Sequence, residues 1–153
     1  VDAHEGKDVT TFDILGAYLH AEIPKGKTIL LRLKGIIVDI MWEINPEYVK
    51  HIRYEKGQKV LYLRVLRAIY SCIESALQWY VLYMKTLKGL GYKLHLYDFC
   101  VANKVIDGKQ CTVVWYIDDN KVSHVNAEVV KNIMNMLQQF FKSLKITRVN
   151  TIF

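Results

Sequence analysis

The chain has 153 residues, a length that suits one domain with a buried core. Its hydrophobic fraction of 52% and charged fraction of 24% exclude a disordered polymer, and no apolar run reaches the ~18 residues of a membrane helix. The formal net charge of +6 favours a polyanionic partner, because each Lys or Arg set against a phosphate releases counterions.

The first half of the chain contains several strand candidates. Residues 8–15 are rich in β-forming side chains, and residues 28–33 form a second such run between two glycines. Residues 36–53 are ambiguous, although Pro46 after an asparagine predicts a helix that begins there. A turn then leads into a third strand candidate, residues 60–65.

A long helix is predicted after residue 70. Ser71 and Glu74 have the spacing of a capping box, in which each side chain satisfies an orphan amide of the first turn. The helix would end at Gly89 and Gly91. Its apolar face, at a spacing near 3.6 residues, is expected to consist of Leu77, Val81, Met84 and Leu87.

Two consecutive hairpins are predicted next. Residues 99–106 and 111–117 flank Asp107-Gly108, a strong turn signal. The second of these strands and residues 121–125 then flank a turn of Asp118, Asp119 and Asn120. Adjacent carboxylates at a rigid tip suit magnesium, which prefers oxygen ligands. An ordinary polar turn is the alternative interpretation of these residues.

The last predicted element is a helix that begins near Asn126, with Glu128 in its first turn. Its buried face is expected to consist of Val130, Ile133, Leu137, Phe140 and Leu144. Strands mixed with two well-marked helices predict an α+β fold in layers, in a single domain over residues 1–153.

The cysteines and histidines indicate neither a disulfide framework nor a zinc site. Cys72, Cys100 and Cys111 are odd in number and lack CxxC spacing, so we expect reduced thiols in an intracellular protein. The five histidines form no HxxxH or HExxH pair.

A second acidic position lies near the end of the first strand. A phosphoryl-transfer site with two metal ions requires a further carboxylate to bridge them, and Asp13 is the best candidate. Gly16 and Ala17 would let a triphosphate approach the backbone closely, and Tyr18 could lie beneath the incoming sugar. Taken in isolation, each residue is better explained structurally, Asp13 as a strand-end cap and Tyr18 as a core aromatic.

The combination of Asp13, Ala17 and Tyr18 with Tyr116-Ile117-Asp118-Asp119 about a hundred residues later resembles reverse transcriptases. More narrowly, the chain is similar to the reverse transcriptase of copia-type LTR retrotransposons. Three blocks carry that similarity: residues 12–22 resemble the family's "AFLNGE" segment, residues 60–70 with 76–80 its "KALYG…AWY" block, and residues 90–100 its "LGF…D…C" block.

The resemblance implies a right-hand polymerase palm, an antiparallel sheet backed by helices. Only twelve residues precede Asp13, and the last residues, 150–153, stand before the family's "FLG" segment. The resemblance therefore implies a partial palm with fingers and thumb largely absent. The family usually has Gly where Ser71 stands and Gln where Glu74 stands, and a Glu74 that caps its helix would point away from a phosphate backbone.

By this likeness Asp13, Asp118 and Asp119 would be catalytic, and Asp13 and Asp118 would hold two Mg²⁺ ions, with Mn²⁺ as an alternative. Gly16, Ala17 and Tyr18 would bind the nucleotide, with Tyr18 as a steric gate against the ribose 2′-hydroxyl. Tyr116 would face the template–primer duplex. The ions would support in-line attack of the primer 3′-hydroxyl.

The implied partners are an RNA or DNA template–primer duplex, deoxynucleoside triphosphates and the rest of a retrotransposon polyprotein, with no membrane. The expected location is the cytoplasm, a virus-like particle or the nucleus. Two other functions fit the same residues. One is a catalytically inactive relic with residual nucleic-acid binding, and the other is a palm-type nucleotidyl transferase or cyclase that uses no template.

Overall fold

The structure, a computed structural model, describes residues 2, 4–142 and 144–148. Its strands are β1 (Asp8–Ile14), β2 (Leu30–Lys34), β3 (Arg53–Glu55), β4 (Gln58–Arg64), β5 (Lys93–Leu94), β6 (Val101–Ile106), β7 (Lys109–Tyr116), β8 (Asp119–His124) and β9 (Leu144–Arg148). Its α-helices are α1 (Ala17–His20), α2 (Ile36–Ile44), α3 (Ser75–Gly89) and α4 (Ala127–Phe140), and a 3-10 helix covers Pro46–His51.

The larger sheet has six strands in the order β5-β6-β7-β8-β1-β9, and all of its pairings are antiparallel. The first strand of the chain therefore lies between two of the last. Side chains of a strand alternate between the two faces of a sheet, and in β1 Thr10, Phe12 and Ile14 are buried. Thr11 and Asp13 point to the opposite face.

Helices α3 and α4 cover one face of this sheet. The core between them and the sheet includes Trp79 and Tyr83 from α3, and Ile133 and Leu137 from α4. The Trp79 and Tyr83 rings stack with their centroids 5.3 Å apart. We call the other side, which carries Thr11 and Asp13, the open face.

The second sheet has three strands in the order β2-β4-β3. Helix α2 contacts it through Val38, which is buried. An ion pair of 2.6 Å between Arg32 and Glu55 joins the outer strands. None of the helices in the described part of the chain is both long and apolar enough to cross a membrane.

Several expectations from the sequence are confirmed. The described residues form an α+β arrangement with antiparallel sheets. The turn at Asp107-Gly108 joins β6 to β7, and the Asn126 side chain caps α4 by accepting a hydrogen bond of 2.9 Å from the Glu128 amide. Pro46 begins a helical turn, although this turn is a 3-10 helix.

The prediction of a capping box before α3 is wrong. Ser71 has a φ of 66°, and Glu74 makes no side-chain cap. The Glu74 carboxylate instead accepts a hydrogen bond of 2.5 Å from Lys27 Nζ, a partner 47 positions earlier in the sequence. The hydroxyl of Ser75 binds the backbone of Ile69, donating to its carbonyl at 2.5 Å. The Glu74 carboxylate therefore has a distant partner and does not cap the helix.

The predicted buried faces of both helices also need correction. In α3 the buried residues are Ser75, Trp79, Tyr83 and Leu87, whereas Leu77 is 59% exposed. Aromatic rings fill the space against the sheet, so aliphatic spacing alone gave the wrong face. In α4 the buried side chains are Val129, Val130, Ile133, Met134 and Leu137. Phe140 is 55% exposed, the neighbouring Phe141 is buried, and Leu144 begins β9.

Candidate active site

Strand pairing brings the acidic residues of the two predicted motifs together. Asp13 of β1 is the direct cross-strand partner of Asp119 in β8. Side chains that face each other in this way have Cβ atoms about 5 Å apart. The amide of Ile14 donates to the carbonyl of Asp118 at 3.0 Å, which ties the end of β1 to the turn. Asp13, Asp118 and Asp119 therefore meet at one end of the central strands.

The turn between β7 and β8 differs from the predicted one. Tyr116 pairs with Asp119, so Ile117 and Asp118 form a two-residue turn, and Asp119 and Asn120 belong to β8. Ile117 has a φ of 57° and Asp118 has no positive φ, which is the pattern of a type II′ turn. A β-branched residue in this region costs on the order of 1–3 kcal/mol, so surrounding contacts must hold it.

Buried hydrogen bonds hold the strained turn. The indole Nε1 of Trp79 donates to the Ile117 carbonyl at 2.7 Å. The Asn120 side chain donates to the Asp118 carbonyl at 2.5 Å. Trp79 is itself fixed by its stack on Tyr83 and by an edge contact with Phe141, whose ring centroid lies 5.2 Å away. The position of Asp118 is therefore set by the aromatic core beneath the sheet.

Asp13 occupies an unfavourable electrostatic position. Burial, followed by the charges of Asp118 and Asp119, raises the pKa of the Asp13 carboxyl, and Lys145 opposes this increase. Lys145 is the cross-strand partner of Asp13 on β9. The Asp13 Oδ1 atom is buried without a hydrogen-bond partner. A carboxylate oxygen in this setting suits a cation, which would satisfy the oxygen and relieve the repulsion.

We expect the substitution Asp13→Asn to stabilise the fold at neutral pH without divalent cations. The pKa of Asp13 in the folded chain is raised above its ordinary value of 3.8. Ionisation of Asp13 therefore does not destabilise the fold below pH 3.8, and its destabilising effect develops as pH rises through the pKa of the folded state. The variant should gain about 1 kcal/mol in the free energy of unfolding at pH 7. Urea unfolding in EDTA at pH 7 and pH 3 measures the gain.

Asp107→Asn, the same change at the exposed β6–β7 turn, serves as the control. Its effect on stability should not follow the same pH dependence. A gain for Asp13→Asn that is equal at both pH values would contradict the electrostatic explanation.

A shallow depression of about 410 Å³ opens on the open face beside these carboxylates. Tyr116 lies at the border of this depression and is 74% exposed. The family resemblance implies that this residue faces a template–primer duplex. Residues that line the depression include Thr11, Asp13, Val114, Tyr116, Asp119 and Lys121.

The expected nucleotide-binding residues follow β1 directly. Gly16 has a φ of 65°, a conformation that favours glycine, and α1 begins at Ala17. Tyr18 is only 8% exposed and belongs to the core, and the ring of the half-exposed Tyr70 lies against it with a centroid distance of 4.6 Å. Burial and the charge of Asp118 raise the pKa of Tyr70, so Tyr70 also lies near the acidic end of the sheet.

The described residues alone do not form a complete metal-binding site. Within the described ranges, no group of three or more His, Cys, Asp or Glu side chains stands in a geometry that could hold a metal ion. The charge of Asp118 acts on the Asp13 carboxyl, and the unpartnered Asp13 Oδ1 is compatible with a cation. Further ligands would come from water or substrate phosphates, as magnesium sites commonly require.

Four residues of the site were missed by sequence reasoning. Lys145 and Tyr70 approach through tertiary structure, and no local pattern marks them. Trp79 and Asn120 give weak signals, because a Trp in a helix and an Asn at the start of a strand both require polar partners when buried. Their roles depend on the Ile117–Asp118 backbone, which the sequence pattern did not predict.

Comparison of the chain with known protein families, with curated proteins and with solved structures finds no match.

Proposed function

We propose that this chain is the palm portion of a copia-type reverse transcriptase, an RNA-directed DNA polymerase. The observation that carries the proposal is the pairing of Asp13 with Asp119, beside a strained turn that presents Asp118. Two motifs separated by about a hundred residues thus meet at one end of the central strands, as a shared site requires. The antiparallel sheet with helices on one face is compatible with a palm.

The backbone at Ser71 also supports the proposal. Copia-type enzymes usually have Gly at this position, and Ser71 adopts a φ of 66°, where glycine is favoured. Glu74 stands where the family usually has Gln, and an ion pair with Lys27 neutralises its carboxylate. Glu74 would therefore repel a nearby phosphate less than an unpaired acid would.

In the proposed reaction Asp13 and Asp118 hold Mg²⁺, which when bound lowers the cost of charge on the primer oxygen and on the leaving diphosphate. Asp119, the cross-strand partner of Asp13, adds negative charge beside the proposed Mg²⁺ site. Tyr116 offers an exposed ring to the template–primer duplex, and the Tyr18–Tyr70 pair forms the wall beside the nucleotide. In this arrangement Tyr70 has the more accessible ring and Tyr18 supports it.

Primer extension tests the proposal. A DNA primer on an RNA template is incubated with deoxynucleoside triphosphates and Mg²⁺. The 153 residues are assayed alone and within whatever longer reading frame encodes them. We expect template-directed addition that EDTA abolishes and that ribonucleotides support poorly. Absence of template-directed addition in both forms would end the proposal, whereas cyclisation of free nucleotides would favour the template-independent alternative.

A non-catalytic nucleic-acid-binding function is the second candidate. It is favoured by the lack of a three-ligand metal group among the described residues, together with the net charge of +6. It predicts salt-sensitive binding of duplex in the absence of any extension. Robust synthesis by the chain would exclude it.

A further inference from the structure

Several donors surround a single carboxylate beside the open face. Lys121 Nζ donates to Asp2 Oδ2 at 2.5 Å, and Ser123 Oγ donates to Asp2 Oδ1 at 3.3 Å. Lys7 Nζ lies 3.7 Å from Asp2 Oδ1, and the same ammonium group pairs with Glu5 at 2.6 Å. Side chains from β8 and from the segment before β1 thus converge on one anionic group.

These donors lie next to the candidate active site. Lys121 is the cross-strand partner of Thr11 and of Val114, so its side chain belongs to the open face. It follows Asp119 by two residues, about 7 Å along the strand. Ser123 lies on the same face one step further, yet it is fully buried beside the Asp2 carboxylate. The segment before β1 therefore covers this end of the open face.

The donor set is suited to an anion. Burial acts to raise the pKa of Asp2, but the hydrogen bond and charge of Lys121, with the charge of Lys7, lower it overall. Asp2 is therefore ionised at neutral pH. Phosphate oxygens accept hydrogen bonds from ammonium and hydroxyl groups as carboxylate oxygens do. The Lys7 side chain is almost entirely buried, so its ammonium group is held in position.

We propose that Lys121, Ser123 and Lys7 form a binding site for a backbone phosphate of a nucleic acid, and that Asp2 occupies this site as an internal competitor. The inference rests on the proposed function, because a template–primer duplex on the open face would carry its phosphates past Lys121. Binding of the duplex exchanges the Asp2 carboxylate for a phosphate, which lowers the net affinity.

Fluorescence anisotropy with a labelled RNA–DNA duplex tests this exchange. Asp2→Asn should tighten the Kd roughly three- to tenfold at low salt, since the phosphate no longer has to displace a carboxylate from Lys121. Glu43→Gln is the matched control, because it raises the formal charge of +6 by the same one unit at an exposed position on α2. We expect its Kd to stay within about twofold of the unchanged chain.

A second pair of variants tests whether Lys121 mediates the effect. In a Lys121→Gln background, Asp2→Asn should no longer tighten binding beyond the control, and circular dichroism verifies that each variant is folded. The proposal is overturned if Asp2→Asn and Glu43→Gln have equal effects, or if no variant binds duplex at low salt. Complete displacement of duplex by inorganic phosphate at matched ionic strength would also overturn it, since the site would then take free phosphate.

The binding assay is carried out without Mg²⁺ and without free nucleoside triphosphates, so its result is independent of catalysis. A chain that binds duplex as expected but never extends a primer would end the proposed function and leave the phosphate site intact. If the chain extends primers but Asp2→Asn does not change its affinity for duplex, the phosphate site is excluded and the proposed function remains.

Discussion

Replacing Asp118 with asparagine should reduce primer extension at least about a thousandfold, which corresponds to about 4 kcal/mol of transition-state stabilisation. The change keeps the size of the side chain and leaves intact the backbone carbonyl that binds Ile14 and Asn120. Only the negative charge needed to hold a cation is removed. Single-nucleotide extension on an RNA template with Mg²⁺ measures the loss.

Asp107→Asn provides the control for this prediction. It makes the same chemical change at the tip of the neighbouring hairpin in the same sheet, where the side chain is exposed. Its extension rate should stay within about twofold of the original, as is usual for surface changes. If Asp118→Asn retained more than about a tenth of the rate, the catalytic role of Asp118 would be wrong.

Replacing Trp79 with alanine should be the most destabilising of these changes, at about 3–5 kcal/mol in the free energy of unfolding. Trp79 is buried, stacks on Tyr83 and contacts Phe141, and its indole also satisfies the Ile117 carbonyl. The loss is comparable to a large part of the total stability of a small domain. Urea denaturation followed by circular dichroism measures it.

Trp79→Phe separates packing from hydrogen bonding. It keeps an aromatic ring but removes the donor to Ile117, so we expect a smaller loss of about 1–3 kcal/mol and a less well-fixed turn. Trp42→Ala removes a half-exposed Trp from α2 that lies near Lys59, and it should cost under about 1 kcal/mol. Equal losses at Trp79 and Trp42 would contradict the proposed support of the turn.

Local patterns predicted much of the larger sheet. The β6–β7 turn depends on Asp107-Gly108, and the α4 cap depends on Asn126, so a few neighbouring residues fix both features. Runs of β-forming residues marked β1 and β7, whose side chains alternate between buried and more exposed positions. The α+β class followed from these elements, whereas strand order depends on contacts that no short window contains.

The errors share a physical cause. Ser71 and Glu74 match a local cap, but Lys27 binds Glu74 from a distant loop. The turn residues were misassigned because Ile117 takes a conformation that isoleucine disfavours, and the hydrogen bonds from Trp79 and Asn120 to the turn offset that cost. Sequence propensity describes the average environment of a residue, so strained positions are the ones it misses.

The candidate site was predictable in part. Asp13 and Asp118 came from spacing and family resemblance, and the pairing of β1 with β8 brings them to the same end of the sheet. Tyr70 was missed, although its ring contacts that of Tyr18. Two rings that meet across about fifty positions leave no periodic signal in the sequence.

The position of β1 has a consequence for how the chain acquires its structure. Both of its partners, β8 and β9, follow β1 by more than a hundred residues and are therefore synthesised after it. Long loops must close before these pairings form, which slows folding. Until then the apolar side chains of β1 have no sheet to join and are exposed to aggregation. We therefore expect the acidic site, which requires the pairing of β1 with β8, to form late in folding.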